Sequence, residues 1–220
     1  MTPTLQATQL RKAFTFPTYV DLLKGIDLTV NPGESVAIIG RSGEGKSTLL
    51  QILGTLDSPT SGSLAIAGQP VTFANTSTLR NRHLGFIFQS YHLLEDYTVL
   101  DNVLFPAKIG RRSNQKQRAL DLLDQVGLSS RAHHPARLLS GGEKQRTAIA
   151  RAFINDPCLI LADEPTGNLD RASADLIHNL LFNCVRLNNK SLILVTHDPT
   201  LASLCDQQVE LVDGQLSGQA

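Results

Sequence analysis

The segment Gly40-Arg-Ser-Gly-Glu-Gly-Lys46-Ser47 stands between a short β-branched run, Ser35–Ile39, and a helix-length amphipathic stretch, Lys46–Leu53. It has the spacing GxxxxGK[ST]. Its glycines let the backbone bend so that successive N–H groups point at one anion. Lys46 supplies a positive charge for β- and γ-phosphates, and Ser47 a hydroxyl for a divalent cation. The helix opening at Lys46 adds the positive end of its dipole. Such a loop works only where a buried parallel strand runs into a helix, so it imposes an α/β architecture on the chain around it. Gly40, Arg41, Ser42, Gly43, Glu44, Gly45, Lys46, Ser47 and Thr48 are the predicted nucleotide-binding residues. Glu44 is discordant, because a carboxylate inside the loop repels phosphate unless its side chain turns away.

The rest of the chain fits that frame. Asn31-Pro32-Gly33 is a turn before the first buried strand, and Leu84–Phe88, Leu159–Ala162 and Leu192–Val195 read as further strands. Ile26–Val30 and Leu64–Ala67 read as antiparallel strands. From about Tyr91 to Leu139 the texture becomes helical. Thr98-x-x-Asp101 is spaced as a capping box for a helix that Pro106 should limit. Ser113 is placed to cap a second helix, with Ala119, Leu122, Leu123 and Val126 on one face and Gly127 as its stop. A final helix is expected around Ala174–Leu187. With 220 residues, 20 basic and 20 acidic side chains, the chain is long enough for one domain with a sub-lobe, and its zero formal charge argues against nucleic acid as a partner. No apolar run approaches a membrane span, and the start Met1-Thr-Pro-Thr-Leu-Gln has no leader pattern. Cys158, Cys184 and Cys205 form neither an even set nor a CxxC, as expected of a reduced, cytosolic chain.

Two further motifs carry chemistry. Leu159-Ile-Leu-Ala-Asp163-Glu164 is an apolar strand ending in two carboxylates. Asp163 is suited to hold Mg²⁺ through its water shell, and Glu164 to polarise a water attacking a γ-phosphate. Leu139-Ser140-Gly141-Gly142-Glu143 opens a helix with Ala148, Ile149, Ala152 and Phe153 as its apolar stripe. Ser140 and Glu143 are spaced as a capping box, and a well-capped helix alone would satisfy the pattern. Two glycines in the first turn nevertheless cost helix stability, about 1 kcal/mol each in a helix interior. Bare N–H groups at a helix start are what close approach to an anion requires.

In this order, the phosphate loop, Leu-Ser-Gly-Gly-Glu, Ala-Asp-Glu-Pro, Asn168-Leu-Asp170 and Thr196-His197-Asp198 resemble the ATP-binding cassette (ABC) ATPase family over nearly the whole chain. The resemblance implies an α/β fold with a P-loop NTPase core of ABC ATPase type, an antiparallel β-lobe and a helical sub-lobe. Residues 1–220 would form one domain, with 91–139 as the sub-lobe and 1–90 and 140–220 as core and β-lobe. It implies ATP and Mg²⁺ as cofactors, with Ser47, Gln89 and Asp163 at the metal. It makes Glu164 the general base, His197 its γ-phosphate-contacting support, and Lys46 and Gln89 further catalytic groups. A head-to-tail homodimer follows, in which Ser140, Gly141 and Gly142 of one chain close on the phosphate loop of the other and Asp170 reaches across. Phe14 sits where the family stacks an aromatic on adenine, with Phe16 or Tyr19 as alternatives.

Gly85–Leu94, Tyr97–Val103 and Asp163–Asp170 are similar to the branch holding lipoprotein-releasing, macrolide-exporting and cell-division ATPases. The compact length and Leu93-Leu-Glu-Asp-Tyr-Thr98 are most similar to the first of these. The resemblance implies a subunit, peripheral on the cytoplasmic face of an inner membrane, that works with integral membrane permease subunits to release lipoproteins toward the outer membrane. An exporter ATPase, or a regulatory ATPase coupled to cell-wall hydrolases, is the alternative. The permease is expected near Tyr91, His92, Leu93 and Leu94, unless those leucines belong to the sub-lobe core.

Overall fold

The computed structural model describes residues 2–218; Met1, Gln219 and Ala220, the ends of the expected 1–220 domain, lie outside them. Alternation along the central strands decides the architecture. In β3 (Ser35–Ile39), β7 (Leu159–Asp163) and β8 (Ser191–Val195), successive side chains point to opposite faces of one sheet. Val36, Ile38, Leu159, Leu161, Ile193 and Val195 enter one core, while Ala37, Ile160, Ala162, Leu192 and Leu194 enter another.

The first core is closed by α1 (Lys46–Leu53) and by an antiparallel sheet of β1 (Leu5–Phe14), β2 (Val20–Val30), β4 (Ser61–Ile66) and β5 (Gln69–Pro70), in the order β2-β1-β4-β5. The second is closed by α3 (Val99–Ile109), α4 (Lys116–Gln125), α5 (Gly141–Phe153) and α6 (Arg171–Leu187). The central sheet has the order β10-β9-β3-β8-β7-β6, where β6 is Leu84–Phe88, β9 is Gln207–Val212 and β10 is Gln215–Ser217. Its strands are parallel except β10, which pairs antiparallel with β9 at the edge. The short helices α2 (Thr76–His83) and α7 (Pro199–Ala202) complete the fold. Ser35 and Asp206 lock the starts of β3 and β9: the Ser35 N–H and hydroxyl donate to Asp206 Oδ2 at 2.8 and 2.6 Å, and the Asp206 N–H returns a bond to Ser35 Oγ at 2.9 Å.

Several local expectations need correction. Ile26–Val30 and Leu64–Ala67 are strand segments, but each pairs with β1 rather than with the other, and Ala67 has left the strand at φ +50°. β1 is hidden in the sequence because a bulge at Gln9 (φ +49°) interrupts its alternation. Gly62 makes room for that bulge, since a Cβ there would stand 2.4 Å from the Gln9 carbonyl oxygen. Pro106 lies inside α3 rather than limiting it: the Pro106 carbonyl accepts from the Gly110 N–H at 3.0 Å and from Asn81 Nδ2 at 2.8 Å, which holds the last turn in place. Ser113 does not cap α4. Gln115 occupies the N-cap position, and its side chain donates to the Ser113 carbonyl at 3.1 Å. Gly127 does end α4, with φ +67° and paired bonds from Gly127 N–H to Asp124 O and from Leu128 N–H to Leu123 O.

Candidate active site

The carboxyl ends of β3, β6, β7 and β8 converge, as expected where ligands bind open parallel sheets. After β3 the chain turns through Gly40 (φ +152°), Gly43 (φ +88°) and Gly45 (φ +98°) before α1 begins. At Gly45 the left-handed backbone also runs over Leu22, whose Cγ would be 2.8 Å from any Cβ. Lys46 Nζ is folded into the loop and donates to the carbonyls of Gly40 and Arg41, both at 2.8 Å. The ammonium is thus held inside the loop by backbone carbonyls.

Ser47 Oγ donates to Asp163 Oδ1 at 3.1 Å, joining the start of α1 to the end of β7. Burial pushes the Asp163 carboxyl above the usual carboxylate range, with the neighbouring Glu164 adding to it, and Ser47 and Lys46 pull the other way. These oxygen donors suit a hard cation such as Mg²⁺, which takes few protein ligands beside substrate phosphates and water. The next residue, Glu164, holds φ +42°, an uncommon conformation for a side chain of its size. Its two carboxylate oxygens are engaged separately: Oε1 lies 2.7 Å from His197 Nδ1, and Oε2 accepts from Thr196 Oγ1 at 3.3 Å. Both partners follow β8, so the two strand ends clamp one carboxylate. Gln89, just past β6, is tied to the loop after Glu164 by a pair of bonds with Asn168: Gln89 Nε2 to Asn168 Oδ1 at 3.3 Å, and Asn168 Nδ2 to Gln89 O at 2.9 Å.

Ser42, Gly43, Gly45, Lys46, Ser47, Thr48, Gln89, Glu164 and His197 thus line one cavity of about 460 Å³, together with Leu22 and Val195. Gly40 and Arg41 adjoin it as acceptors for Lys46. Glu44 does not line it: Oε2 is buried beside Gly40, with no hydrogen-bond partner among the described residues. The carboxylate thus does not face the cavity directly, although it stays beside the loop. Phe14 is not in the lining either. It stands 41% exposed at the end of β1 with Lys12 Nζ 5.0 Å above its ring, and Phe16 and Tyr19 are more exposed still.

Ser140, Gly141, Gly142 and Asp170 lie elsewhere, around a second cavity of about 400 Å³ that also takes Arg146, Asn168 and Ser173. The capping box is present: Ser140 Oγ accepts from the Glu143 N–H at 3.3 Å, and Glu143 Oε2 accepts from the Ser140 N–H at 2.9 Å. That backbone bond, helped by Arg131, holds the Glu143 carboxyl below the usual range. Capping does not exhaust the motif, because space beside Gly142 is open within 4 Å of where a Cβ would be. Asp170 serves as N-cap of α6, accepting from the Ser173 N–H at 3.0 Å and hydroxyl at 2.7 Å. Its carboxylate is thus engaged within its own chain. Leu22, Asn168, Thr196 and Arg146 were not singled out from the sequence, although Asn168 and Thr196 lie inside motifs that were.

Comparison with known proteins agrees with this constellation. The family model described as "ABC transporter" matches residues 23–167. The lipoprotein-releasing system ATP-binding protein LolD of Protochlamydia amoebophila is 57% identical, over 96% of this chain and 95% of that protein. Its namesake in Cytophaga hutchinsonii is 48% identical, over 90% of this chain and 94% of that one. Among solved structures, the dimeric post-hydrolysis state of the ATP-binding cassette MJ0796 bound to ADP and Pi superposes with a TM-score of 0.87 at 34% identity, covering 97% of this chain and 96% of that one. With the family model spanning most of its length and the phosphate loop, the paired carboxylates and the Ser-Gly-Gly helix start all in place, this chain belongs to the ABC transporter family and is an ATPase of that family.

Proposed function

We propose that this chain is the ATP-hydrolysing subunit of a complex that releases lipoproteins from an inner membrane toward the outer membrane. The observation that carries the mechanism is the separation of the two cavities. Lys46, Ser47, Glu164 and His197 face one, while Ser140, Gly141 and Gly142 face the other. A single copy presents two half-sites, and a head-to-tail pair would join each phosphate loop to the Ser-Gly-Gly helix start of a second copy. The support for the substrate is the shared name of relatives that match over nearly their whole length.

In this reading the turn N–H groups, the α1 dipole and Lys46 hold the β- and γ-phosphates. Glu164, oriented by His197 and Thr196, accepts a proton from the water that attacks in line. Ser47, Asp163 and Gln89 would hold a Mg²⁺ ion, whose contribution is to neutralise charge on the phosphate oxygens. Phe14, or Phe16 or Tyr19, would stack on adenine, and Asp170 would reach the second copy only by giving up part of its capping role. Residues 91–139 act as the helical sub-lobe on a body of 1–90 and 140–220.

No helix among the described residues is long and apolar enough to cross a membrane. In this reading the chain works from a peripheral position and passes force to separate permease subunits. Their docking place would be the groove of about 480 Å³ lined in part by Phe86, Phe88, His92, Leu94, Phe105 and Ile109. Leu94 is 46% exposed there, whereas Leu93 packs against the core, as the core alternative has it for that residue alone. The test is purification of the chain from detergent-solubilised native membranes with identification of what accompanies it. Permease chains with large extracytoplasmic domains, whose ATPase is stimulated by lipoprotein, are expected. A single small four-span partner would replace lipoprotein release by the cell-division reading.

A further inference from the structure

The loop from Glu164 to Asp170 carries the general base of the proposed reaction at its start and the cap of α6 at its end. Inside the loop, Gly167 N–H bonds back to Glu164 O at 3.1 Å and Leu169 N–H to Thr166 O at 3.0 Å. These bonds close it into a compact turn. Asn168 ties it to Gln89, as described above. A further tether comes from α6: the Nε2 of His178 lies 2.8 Å from Thr166 Oγ1. His178 is only 5% exposed, a burial that polar rings tolerate when they are hydrogen-bonded. Beside this tether lies a cavity of about 390 Å³ lined by Glu164, Thr166, His178, Thr196, His197 and Asp198 among others. The loop therefore has space to shift into, and Thr166–His178 is the bond that opposes the shift from the α6 side.

We infer that His178 is a positioning residue for ATP hydrolysis: through Thr166 it fixes the Glu164–Asp170 loop and so the placement of the Glu164 carboxylate. The hydroxyl can donate to an unprotonated Nε2 or accept from a protonated one, so the tether is available to either tautomer. Misplacement of a reacting group by about 1 Å is enough to lower a rate about 100-fold, and a loosened loop samples the correct placement part of the time. Nothing in the phosphate loop depends on the bond, so ATP binding is spared.

The inference rests on the ATPase reading, and the experiment separates the two. Steady-state hydrolysis by the full chain would be compared for wild type, His178→Gln, His178→Asn, His178→Phe, Thr166→Val and the Thr166→Val/His178→Phe double variant, with Glu164→Gln as reference. A glutamine amide reaches the position of Nε2, whereas an asparagine amide reaches only that of Nδ1. The expected result is kcat lowered about 5- to 20-fold in the Asn, Phe and Val variants, with KM for ATP within about twofold. The Gln variant should stay within about twofold of wild type, and the double variant should be no slower than Thr166→Val alone. Should His178→Phe fail to fold, the Gln–Asn pair and Thr166→Val still decide. Normal kcat in Thr166→Val, equal rates in the Gln and Asn variants, or multiplying losses in the double variant would each overturn the inference. Undiminished hydrolysis by Glu164→Gln would instead overturn the ATPase assignment beneath it.

Discussion

Replacing Arg151 by Met should loosen the segment that follows Gln89, and the structure sets the size of the effect. Tyr91 and His92 are consecutive non-glycine residues at φ +55° and +47°, a conformation that costs roughly 1–2 kcal/mol per residue. Arg151, reaching over from α5, holds them there by donating to the Tyr91 carbonyl at 2.7 Å and the His92 carbonyl at 2.5 Å. Burial pushes the guanidinium down to about 10, so it remains charged at neutral pH and both bonds are charge-assisted. Bonds from a charged donor are worth about 1.5–3 kcal/mol each, some 3–6 for the pair. Methionine keeps much of the arm's packing, and release of the two residues from the left-handed region returns about 2–4 kcal/mol. The mid-range values leave a net loss of about 1.5 kcal/mol, which for a chain of this size lowers Tm by about 3–6 °C. Thermal unfolding followed by circular dichroism at pH 7 measures it, and Arg151→Lys, whose compact ammonium replaces the planar fork, should fall between the two. A Tm within 2 °C of wild type for Arg151→Met would refute the clamp.

Removal of Lys46 in Lys46→Ala should weaken ATP binding about 10- to 150-fold by fluorescent-nucleotide titration, the scale of one charge-assisted phosphate contact, and unchanged affinity would mean the loop is not the site. Leu94→Glu should abolish stimulation of the ATPase by the membrane partner while leaving basal turnover unchanged, whereas Leu93→Glu should lower Tm because that side chain is partly buried against the core. The Ser35 hydroxyl and N–H hold the Asp206 carboxyl below the usual range. A carboxyl depressed in the folded state stabilises above its unfolded pKa of about 3.9 and loses that stabilisation as pH falls through its folded value. Asp206→Ala should thus lower Tm at pH 7 by about 2–4 °C, the equivalent of about 1 kcal/mol for a partly exposed group, and the gap to wild type should close in melts below about pH 4.

What the sequence displayed was whatever is coded locally. The glycine spacing before Lys46, the apolar strand ending in Asp163-Glu164 and the Ser140–Glu143 box are all contiguous, and each appears where its spacing put it. Gly127 likewise marks the end of α4. β1 escaped because its bulge breaks the period of two, and α2 because Leu79 is its only buried side chain and supplies no periodicity. Pro106 misled because the bonds that steady the turn after it include one from Asn81, 25 residues earlier. The pairs that set the site's geometry are also distant in the chain: Glu164 with His197, Arg151 with Tyr91, Gln89 with Asn168. The separation of the two cavities is a property of the fold, and the sequence pointed to it only through the family resemblance.

The central claim is that two copies of this chain close on ATP and that Glu164 drives the hydrolysis that lets them part. Size-exclusion chromatography with light scattering on Glu164→Gln, with and without ATP, tests it most directly. The account predicts a monomer of 23.9 kDa without nucleotide, and a stable species of twice that mass with ATP while phosphate release falls at least ~100-fold. A Glu164→Gln chain that stays monomeric with bound ATP, or one that turns ATP over at the wild-type rate, would contradict it.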